Sequence, residues 1–260
     1  MKRITVMILM LLAGLLGAIE PAAEALLLFE AKQYIAEEGD TLLYRLLSPQ
    51  KIIEGKTYPL VLFLHGSGER GRDNARQLIW GAGTFIDAKN RQRYPAFVLA
   101  PQCPEDQRWV EVHWALDAHR MPEQPSRSMK LVMELLQEMQ ERYAVDASRI
   151  YVTGLSMGGY GTWDILSRLP QTFAAAVPIC GGGDESRAET LKDIPLWVFH
   201  GALDTTVPPE RSRNMVAAIR EAGGKKIRYT EYPDVAHGSW KPAYADPKLL
   251  RWLFNQRKKR

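Results

Sequence analysis

Short apolar runs alternate with amphipathic segments along most of the chain. Residues 126–143 carry apolar side chains at helical spacing and predict a helix, and two further helices are predicted over 209–222 and 247–255. The apolar runs are rich in β-branched and aromatic residues, as buried strands are, and lie near 58–64, 96–101, 149–155, 174–180, 195–200 and 226–232. Strands alternating with helices predict a doubly wound α/β fold with a mostly parallel sheet flanked by helices.

The segment before these units has a different pattern. Residues 29–35 and 41–47 are strand-like runs joined by a turn over 37–40, and they predict an antiparallel edge to the sheet. No internal repeat or low-complexity linker interrupts the alternating strands and helices. We therefore expect a single domain over residues 26–260.

The first 25 residues predict a secretory signal peptide. Met1-Lys2-Arg3 is basic, residues 4–19 are apolar, and Ala23-Glu24-Ala25 has the small-x-small form of a cleavage site, so cleavage is expected after Ala25. The alternative is a membrane anchor, but the apolar stretch is shorter than the roughly 20 residues needed to span a bilayer. We expect a secreted or periplasmic protein with no stable membrane insertion.

The charge of the chain argues against a nucleic-acid partner. The net charge is +4, and the last four residues are all basic, so the body of the chain is near neutral and no nucleic-acid partner is expected.

The two cysteines are too far apart in the expected sheet to form a disulfide. Cys103 and Cys180 follow strands that are three strand spacings apart, or roughly 14 Å. Because a disulfide needs Cα atoms within about 7 Å, we expect two free thiols. No Cys/His spacing indicates a metal site, and no cofactor is expected.

Gly154-Leu155-Ser156-Met157-Gly158 carries the strongest chemical signal. It lies between a predicted buried strand and the start of a predicted helix. A strand, a sharp turn with Ser between glycines and then a helix is the arrangement of a nucleophile elbow, which holds the hydroxyl at the carboxyl end of the strand. Ser156 is therefore the candidate nucleophile. The alternative is a glycine-rich turn whose Ser only caps the helix.

Two partners follow Ser156 in the order acid, then histidine. Asp204 lies in the loop after the predicted strand at 195–200, and His237 lies in the loop after the strand at 226–232. Because the carboxyl ends of parallel strands meet at one edge of a sheet, the three side chains are expected to converge. A Ser hydroxyl becomes nucleophilic when His takes its proton, and the acid orients the His and stabilises its protonated form.

Other acids and histidines fit these roles less well. Asp234 is too close to His237 along the chain, Asp164 lies in the helix after the elbow, and Asp184 is expected to be a loop or cap residue. His65 and His200 each precede a glycine at a strand end, where they are expected to shape the turn. His113 and His119 lie in an irregular loop.

An oxyanion hole requires two backbone N–H groups, one from the residue after the nucleophile and one from a loop after an earlier strand. These conditions select Met157 and, in the loop His65–Gly71, Ser67, with Gly68 as second choice. The alternative for the loop is an ordinary glycine-rich turn.

Two further loops bear on the substrate. Residues 181–194 leave no room for a helical lid domain, so an open site is expected. The long loop 102–125 carries Trp109 and Trp114 and leaves a strand on the same side as the elbow. We expect these two tryptophans to form a wall of the substrate site, the alternative being that they pack the loop onto the core.

Several motifs together resemble one family: His65-Gly66-Ser67-Gly68-Glu69-Arg70-Gly71, Ala100-Pro101-Gln102-Cys103-Pro104, Gly154-Leu155-Ser156-Met157-Gly158-Gly159, Val198-Phe199-His200-Gly201 and Ala236-His237-Gly238. The chain resembles bacterial α/β-hydrolases of the carboxylesterase and prolyl-oligopeptidase-like group, and is similar to feruloyl esterases and polyhydroxybutyrate depolymerases. The resemblance implies an eight-stranded, mostly parallel sheet with Ser156, Asp204 and His237 as the triad. Prolyl oligopeptidases also carry a β-propeller, which no segment here could form.

The expected function is that of an exported serine carboxylesterase acting through an acyl-enzyme. The expected substrates are short-chain or aryl esters, such as acetyl or feruloyl groups, on a small molecule or a polymer. One alternative is a serine peptidase of the prolyl-oligopeptidase type, and another is a non-catalytic binding protein on the same scaffold. Hydrolases of related fold with Asp or Cys at the elbow are excluded because position 156 is Ser.

Overall fold

The protein is built on one eight-stranded sheet in a computed structural model that describes residues 20–258. The strands are β1 (Glu30–Ile35), β2 (Thr41–Leu47), β3 (Tyr58–Leu64), β4 (Phe97–Pro101), β5 (Val145–Leu155), β6 (Ala175–Ile179), β7 (Leu196–Gly201) and β8 (Ile227–Tyr232). Their order in the sheet is β1-β2-β4-β3-β5-β6-β7-β8. β2 pairs antiparallel with β1 and β4, and all other neighbours are parallel. The predicted α/β fold, with its antiparallel edge, is confirmed.

Helices cover both faces of the sheet. They are α1 (Glu20–Leu28), α2 (Ala82–Ile86), α3 (Ala88–Arg93), α4 (Arg127–Arg142), α5 (Met157–Arg168), α6 (Ala188–Leu191), α7 (Glu210–Glu221), α8 (Trp240–Ala245) and α9 (Leu249–Phe254). Buried residues of α4 to α7 belong to the apolar core on one face, and those of α1, α2, α8 and α9 belong to the core on the other. The sheet is thus the middle of three layers.

Strand β3 shows why the central strands are continuous apolar runs. All seven of its residues are buried. Because side chains alternate along a strand, Leu60, Leu62 and Leu64 join one core while Val61 and Phe63 join the other. A strand covered by helices on both faces therefore has no polar alternation.

The predicted helices at 126–143, 209–222 and 247–255 correspond to α4, α7 and α9 and are slightly shorter in the structure. Ser126 caps α4 by accepting a hydrogen bond from the Met129 N–H at 3.1 Å. The sequence pattern did not reveal α1, α2, α3, α6 or α8. Four of these have six residues or fewer and so show too little periodicity.

The predicted signal peptide falls mostly on residues 1–19, which lie outside the described residues. The described chain starts in α1, which contains the predicted cleavage site, and Ala25 is fully buried there. Cleavage and export remain predictions. Over residues 20–258, no helix is both long and apolar enough to cross a membrane.

Both cysteines have free thiols, as predicted, and both are buried. β4 and β6, the strands that precede them, are separated by β3 and β5 in the sheet. The strand order therefore explains why Cys103 and Cys180 do not pair.

Between β6 and β7 the chain forms only a 3₁₀ turn over Glu185–Arg187 and the four-residue α6. This connection contains no lid domain. Ser156 itself is only 7% exposed, so the surrounding loops still cover most of it.

Candidate active site

Ser156 lies between β5 and α5 in a backbone conformation that is rare for a residue with a side chain. Its φ is 54° and its ψ is −118°. The Ser156 N–H donates a 2.9 Å hydrogen bond to the Ile179 carbonyl at the end of β6, and this bond anchors the turn. A non-glycine residue held at positive φ is a strained position of the kind found at functional sites.

The glycine after the turn allows α5 to approach the sheet closely. A Cβ at Gly158 would lie 1.9 Å from the Leu64 carbonyl oxygen and 2.8 Å from that of His65. No side chain fits in that space. The first turn of α5 therefore packs directly against the end of β3 and the loop after it.

We expect Gly158→Ala to lower the free energy of unfolding by about 3 kcal/mol or more, because the added methyl collides with backbone that cannot move cheaply. Gly83→Ala in α2 is the matched control, since a Cβ there meets nothing within 4 Å. Urea denaturation of both variants measures the difference. A Gly158→Ala protein as stable as the Gly83→Ala protein would contradict the close packing of α5.

Ser156, His237 and Asp204 form a continuous hydrogen-bonded chain. The Ser156 Oγ lies 2.9 Å from the His237 Nε2, and the His237 Nδ1 lies 2.7 Å from the Asp204 Oδ2. A carboxylate can only accept, so the proton sits on Nδ1 and Nε2 is free to accept the hydroxyl proton of Ser156. This is the arrangement that activates a serine hydroxyl.

Asp204 is held as a carboxylate by four donors. Its Oδ1 accepts from the Thr206 and Val207 N–H groups, both at 2.9 Å, while Oδ2 faces His237 and His200. Burial alone would raise its pKa, but the hydrogen bonds from His200, His237 and Val207 hold the pKa of this carboxyl well below its usual range. Asp204 therefore carries a full negative charge beside His237 at neutral pH.

His200 contacts the acid directly, although its sequence context suggested only a role in shaping the turn. Its Nε2 lies 3.0 Å from the Val207 carbonyl oxygen and 3.2 Å from the Asp204 Oδ2. Both are acceptors, so Nε2 carries a proton, and Nδ1 lies 2.7 Å from the Ser212 Oγ. His200 is fully buried and thus fixes the orientation of the Asp204 carboxylate.

The competing acids are engaged elsewhere. Asp164 forms an ion pair with Arg168, with 2.7 Å between its Oδ2 and the arginine Nε. Asp184 accepts from the Ser186 N–H and caps the 3₁₀ turn, as predicted. Asp234 is exposed. None of the three has a hydrogen bond to His237 in the described structure.

The loop after β3 lies next to the start of α5. Ser67 begins a 3₁₀ turn over Ser67–Glu69, and Arg70 donates from its Nε to the Ser67 carbonyl at 3.0 Å. Burial raises the pKa of the Glu69 carboxyl, and hydrogen bonds from the Gly66 and Glu69 N–H groups partly oppose that rise. Gly158 in α5 lies against the carbonyls of Leu64 and His65, so the start of α5 is next to this loop. The pairing of the Ser67 and Met157 N–H groups in an oxyanion hole stays a prediction.

Trp109 does not line the substrate site, so that prediction is wrong. The residue is fully buried, its indole N–H donates to the His65 carbonyl at 3.0 Å, and its ring packs against the His65 imidazole. Trp109 therefore fastens loop 102–125 onto the loop after β3. A tryptophan in an irregular loop can turn inward or outward, and its position in the sequence does not distinguish the two.

Trp114 is only half-buried and stays a candidate for substrate binding. It borders an open cleft of about 460 Å³ together with Arg108, His113, Leu116 and Thr206. Because the Thr206 N–H is bonded to Asp204, this cleft adjoins the acid loop. The Arg108 guanidinium lies 4.7 Å above the Trp114 ring and helps to hold it.

The site also brings together three side chains of types that bind metal ions. Potential ligand atoms of Cys180, Asp204 and His237 lie within 4.8 Å of one another. Burial raises the pKa of the Cys180 thiol to about 12, so it is protonated at neutral pH, whereas a metal ligand must be the thiolate. The other two side chains are hydrogen-bonded to each other. The donor set therefore fits a proton relay better than a metal centre.

Comparison with known proteins places this geometry in a family. A family model described as phospholipase/carboxylesterase matches residues 52–246. The solved structure of a thermostable esterase is 42% identical in sequence and has a TM-score of 0.82. The match covers 89% of this chain and 64% of the esterase chain. A probable carboxylesterase of Oryza sativa subsp. japonica is 27% identical over 197 residues, which are 69% of this chain and 81% of the relative.

A third relative matches over a shorter stretch. The bifunctional acetylxylan esterase/xylanase XynS20E of Neocallimastix patriciarum is 27% identical over 98 residues, 38% of this chain but only 15% of that protein. The chain thus spans a small part of this relative. The family model, in contrast, covers the strands and loops that carry Ser67, Ser156, Asp204 and His237. The chain belongs to the phospholipase/carboxylesterase family of α/β-hydrolases.

Proposed function

We propose that this protein is a serine carboxylesterase with Ser156, His237 and Asp204 as its catalytic triad. The observation that carries the proposal is the hydrogen-bonded chain from the Ser156 Oγ through His237 to the buried Asp204 carboxylate. Membership of a carboxylesterase family supports it. A protein that only bound ligands would have no need of a nucleophile held in a strained turn beside an oriented base.

In the acylation step, the Ser156 Oγ attacks the ester carbonyl while the His237 Nε2 takes its proton. The carbonyl oxygen becomes negative, and the Ser67 and Met157 N–H groups donate to it. When the tetrahedral intermediate collapses, the bond from carbon to the leaving oxygen breaks. His237 returns the proton to that oxygen, which releases the alcohol and leaves an acyl group on Ser156.

In the deacylation step, water takes the place of the alcohol. The His237 Nε2 accepts a proton from the water as its oxygen attacks the acyl carbon. The second intermediate collapses, the Ser156 Oγ regains the proton, and a carboxylic acid leaves. Asp204 stays ionised throughout and stabilises the transient positive charge on His237.

The proposed substrates are short-chain or aryl esters, including acetyl or feruloyl groups on a polymer. The short connection between β6 and β7 and the open cleft beside Trp114 leave room for a bulky substrate. One relative is named as an acetylxylan esterase/xylanase. We further propose, from the basic and apolar N-terminal segment, that the protein is secreted or periplasmic.

A substrate panel tests the proposal directly. We expect the purified protein to cleave p-nitrophenyl acetate and methyl ferulate, to cleave p-nitrophenyl esters less well as the acyl chain lengthens, and to leave a proline anilide intact. Ser156→Ala serves as the blank. Cleavage of the anilide alone would indicate a peptidase, and no cleavage by folded protein would indicate a binding scaffold.

A further inference from the structure

Two tryptophans form an aromatic surface beside the candidate catalytic histidine. The Trp240 ring packs edge-on against the His237 ring, with 5.3 Å between centroids and 86° between planes. The Trp80 ring lies 6.1 Å from that of Trp240. Both residues are partly exposed. They come from separate segments, the turn before α2 and the first residue of α8.

The other end of this surface reaches the loop that carries Ser67. The Trp80 indole lies close to the buried Glu69 carboxyl: burial raises the pKa of that carboxyl, and Trp80 lowers it by a smaller amount. That carboxyl in turn lies against Gly66. Trp80 and Trp240 therefore extend from the proposed oxyanion loop to the His237 loop.

A lysine side chain also lies next to this aromatic surface. The Lys241 Nζ lies over the Trp80 ring, 5.0 Å from its centre, and Lys241 is exposed. The planes of the Trp80 and Trp240 rings are inclined at 57° to each other. Partly exposed aromatic rings with an ammonium donor next to them match a molecule that has an apolar face and polar groups around it. A pyranose ring has this form, since its C–H groups lie on its faces and its hydroxyls at its rim.

The position of the surface indicates which part of an ester it would contact. In the proposed mechanism, the His237 Nε2 returns its proton to the leaving alcohol, so the alcohol must lie next to His237. Trp240 packs against that same imidazole. We propose that Trp80 and Trp240 form a stacking subsite for a sugar ring in the leaving alcohol, with Lys241 donating to its hydroxyls. This inference rests on the proposed esterase function.

The experiment compares three acetate esters, which all form the same acetyl-enzyme and differ only in the alcohol. They are a monoacetylated methyl β-xylopyranoside, phenyl acetate and methyl acetate. For Trp80→Ala we expect kcat/KM on the sugar ester, relative to methyl acetate, to fall about fivefold through loss of stacking. Trp80→Phe, which retains a ring but lacks the N–H, should keep most of that ratio.

Two further variants separate stacking from general damage. Lys241→Met should lower kcat/KM for the sugar ester but not for phenyl acetate, which has no ring hydroxyls. Ile79→Ala removes a neighbouring exposed apolar side chain and is the matched control, with the ratio expected to stay at the wild-type value. Thermal unfolding of each variant shows whether the fold is intact.

Several results would overturn the subsite. Equal losses on all three esters, in Trp80→Ala and Trp80→Phe alike, would mean that Trp80 acts only by supporting Glu69. A loss confined to phenyl acetate would indicate an aryl platform and not a sugar site. These outcomes differ from failure of the esterase proposal, in which wild-type protein and Ser156→Ala would be equally inactive on every acetate.

Discussion

Ser156→Ala is expected to reduce kcat for ester hydrolysis by about 10⁴- to 10⁶-fold, because alanine has no Oγ to form the acyl-enzyme. The remaining rate would come from water attacking an ester whose carbonyl is still polarised by the Ser67 and Met157 N–H groups. Substrate affinity should change little, since the hydroxyl is small and the pocket keeps its shape. The loss should therefore appear in kcat, and KM should approach the substrate dissociation constant, because no acyl-enzyme accumulates in the variant.

The measurement is steady-state hydrolysis of p-nitrophenyl acetate, with circular dichroism to confirm folding. Ser167→Ala is the matched control, since its hydroxyl donates to the Trp163 carbonyl within α5 and has no part in the triad. Detection of a stable acyl adduct on the Ser156→Ala protein would contradict the assignment of Ser156 as the nucleophile. So would activity close to that of the control.

Asp204→Asn should reduce kcat by about 10³- to 10⁴-fold while leaving the fold intact. The Asp204 Oδ1 accepts from two backbone N–H groups, so the amide oxygen of Asn must take that place. The amide NH₂ then faces the His237 Nδ1, where a donor would meet a donor. His237 has to move its proton to Nε2, and in that tautomer it cannot accept the proton of Ser156.

Asp234→Asn is the control for this prediction, because Asp234 lies three residues before His237 and is exposed. Nuclear magnetic resonance of the imidazole nitrogens can show the tautomer directly, and activity assays give kcat. Full activity in Asp204→Asn together with a large loss in Asp234→Asn would reverse the assignment of the acid. Loss in neither would mean that His237 needs no carboxylate partner.

The parts of the fold that depend on local pattern were predictable. β3 occupies 58–64 as predicted, and the other five strands of the alternating units overlap their predicted ranges. β3, β4, β6 and β7 are buried throughout, and a strand buried on both faces has a nearly continuous apolar run. β5 is longer than expected and begins at Val145, where its pairing with β3 shifts register near Tyr58. Such an irregularity depends on two strands at once, so neither strand's sequence reveals it.

Some side chains of the site could be predicted from the sequence, and others could not. Ser156, Asp204 and His237 were found because each follows a strand whose carboxyl end must meet the others in a parallel sheet. Trp80 and Trp240 were not found, since they lie far apart in the sequence and neither follows a strand in a motif. Trp109 and Trp114 share one loop, yet the first is buried and the second is half-exposed.

Local sequence was enough to establish the order of the catalytic groups: a serine turn, then an acid, then a histidine, each at the end of a buried strand. The assembled fold was needed to show that His200 joins His237 on the same Asp204 oxygen, that Trp109 faces the core, and that Trp80 meets Trp240 beside His237. The difference arises from the range over which each effect acts. The burial of a strand, the spacing of its apolar residues and the strain of a turn depend on residues that are neighbours in the sequence. Contacts between loops depend on how the whole sheet brings distant segments together.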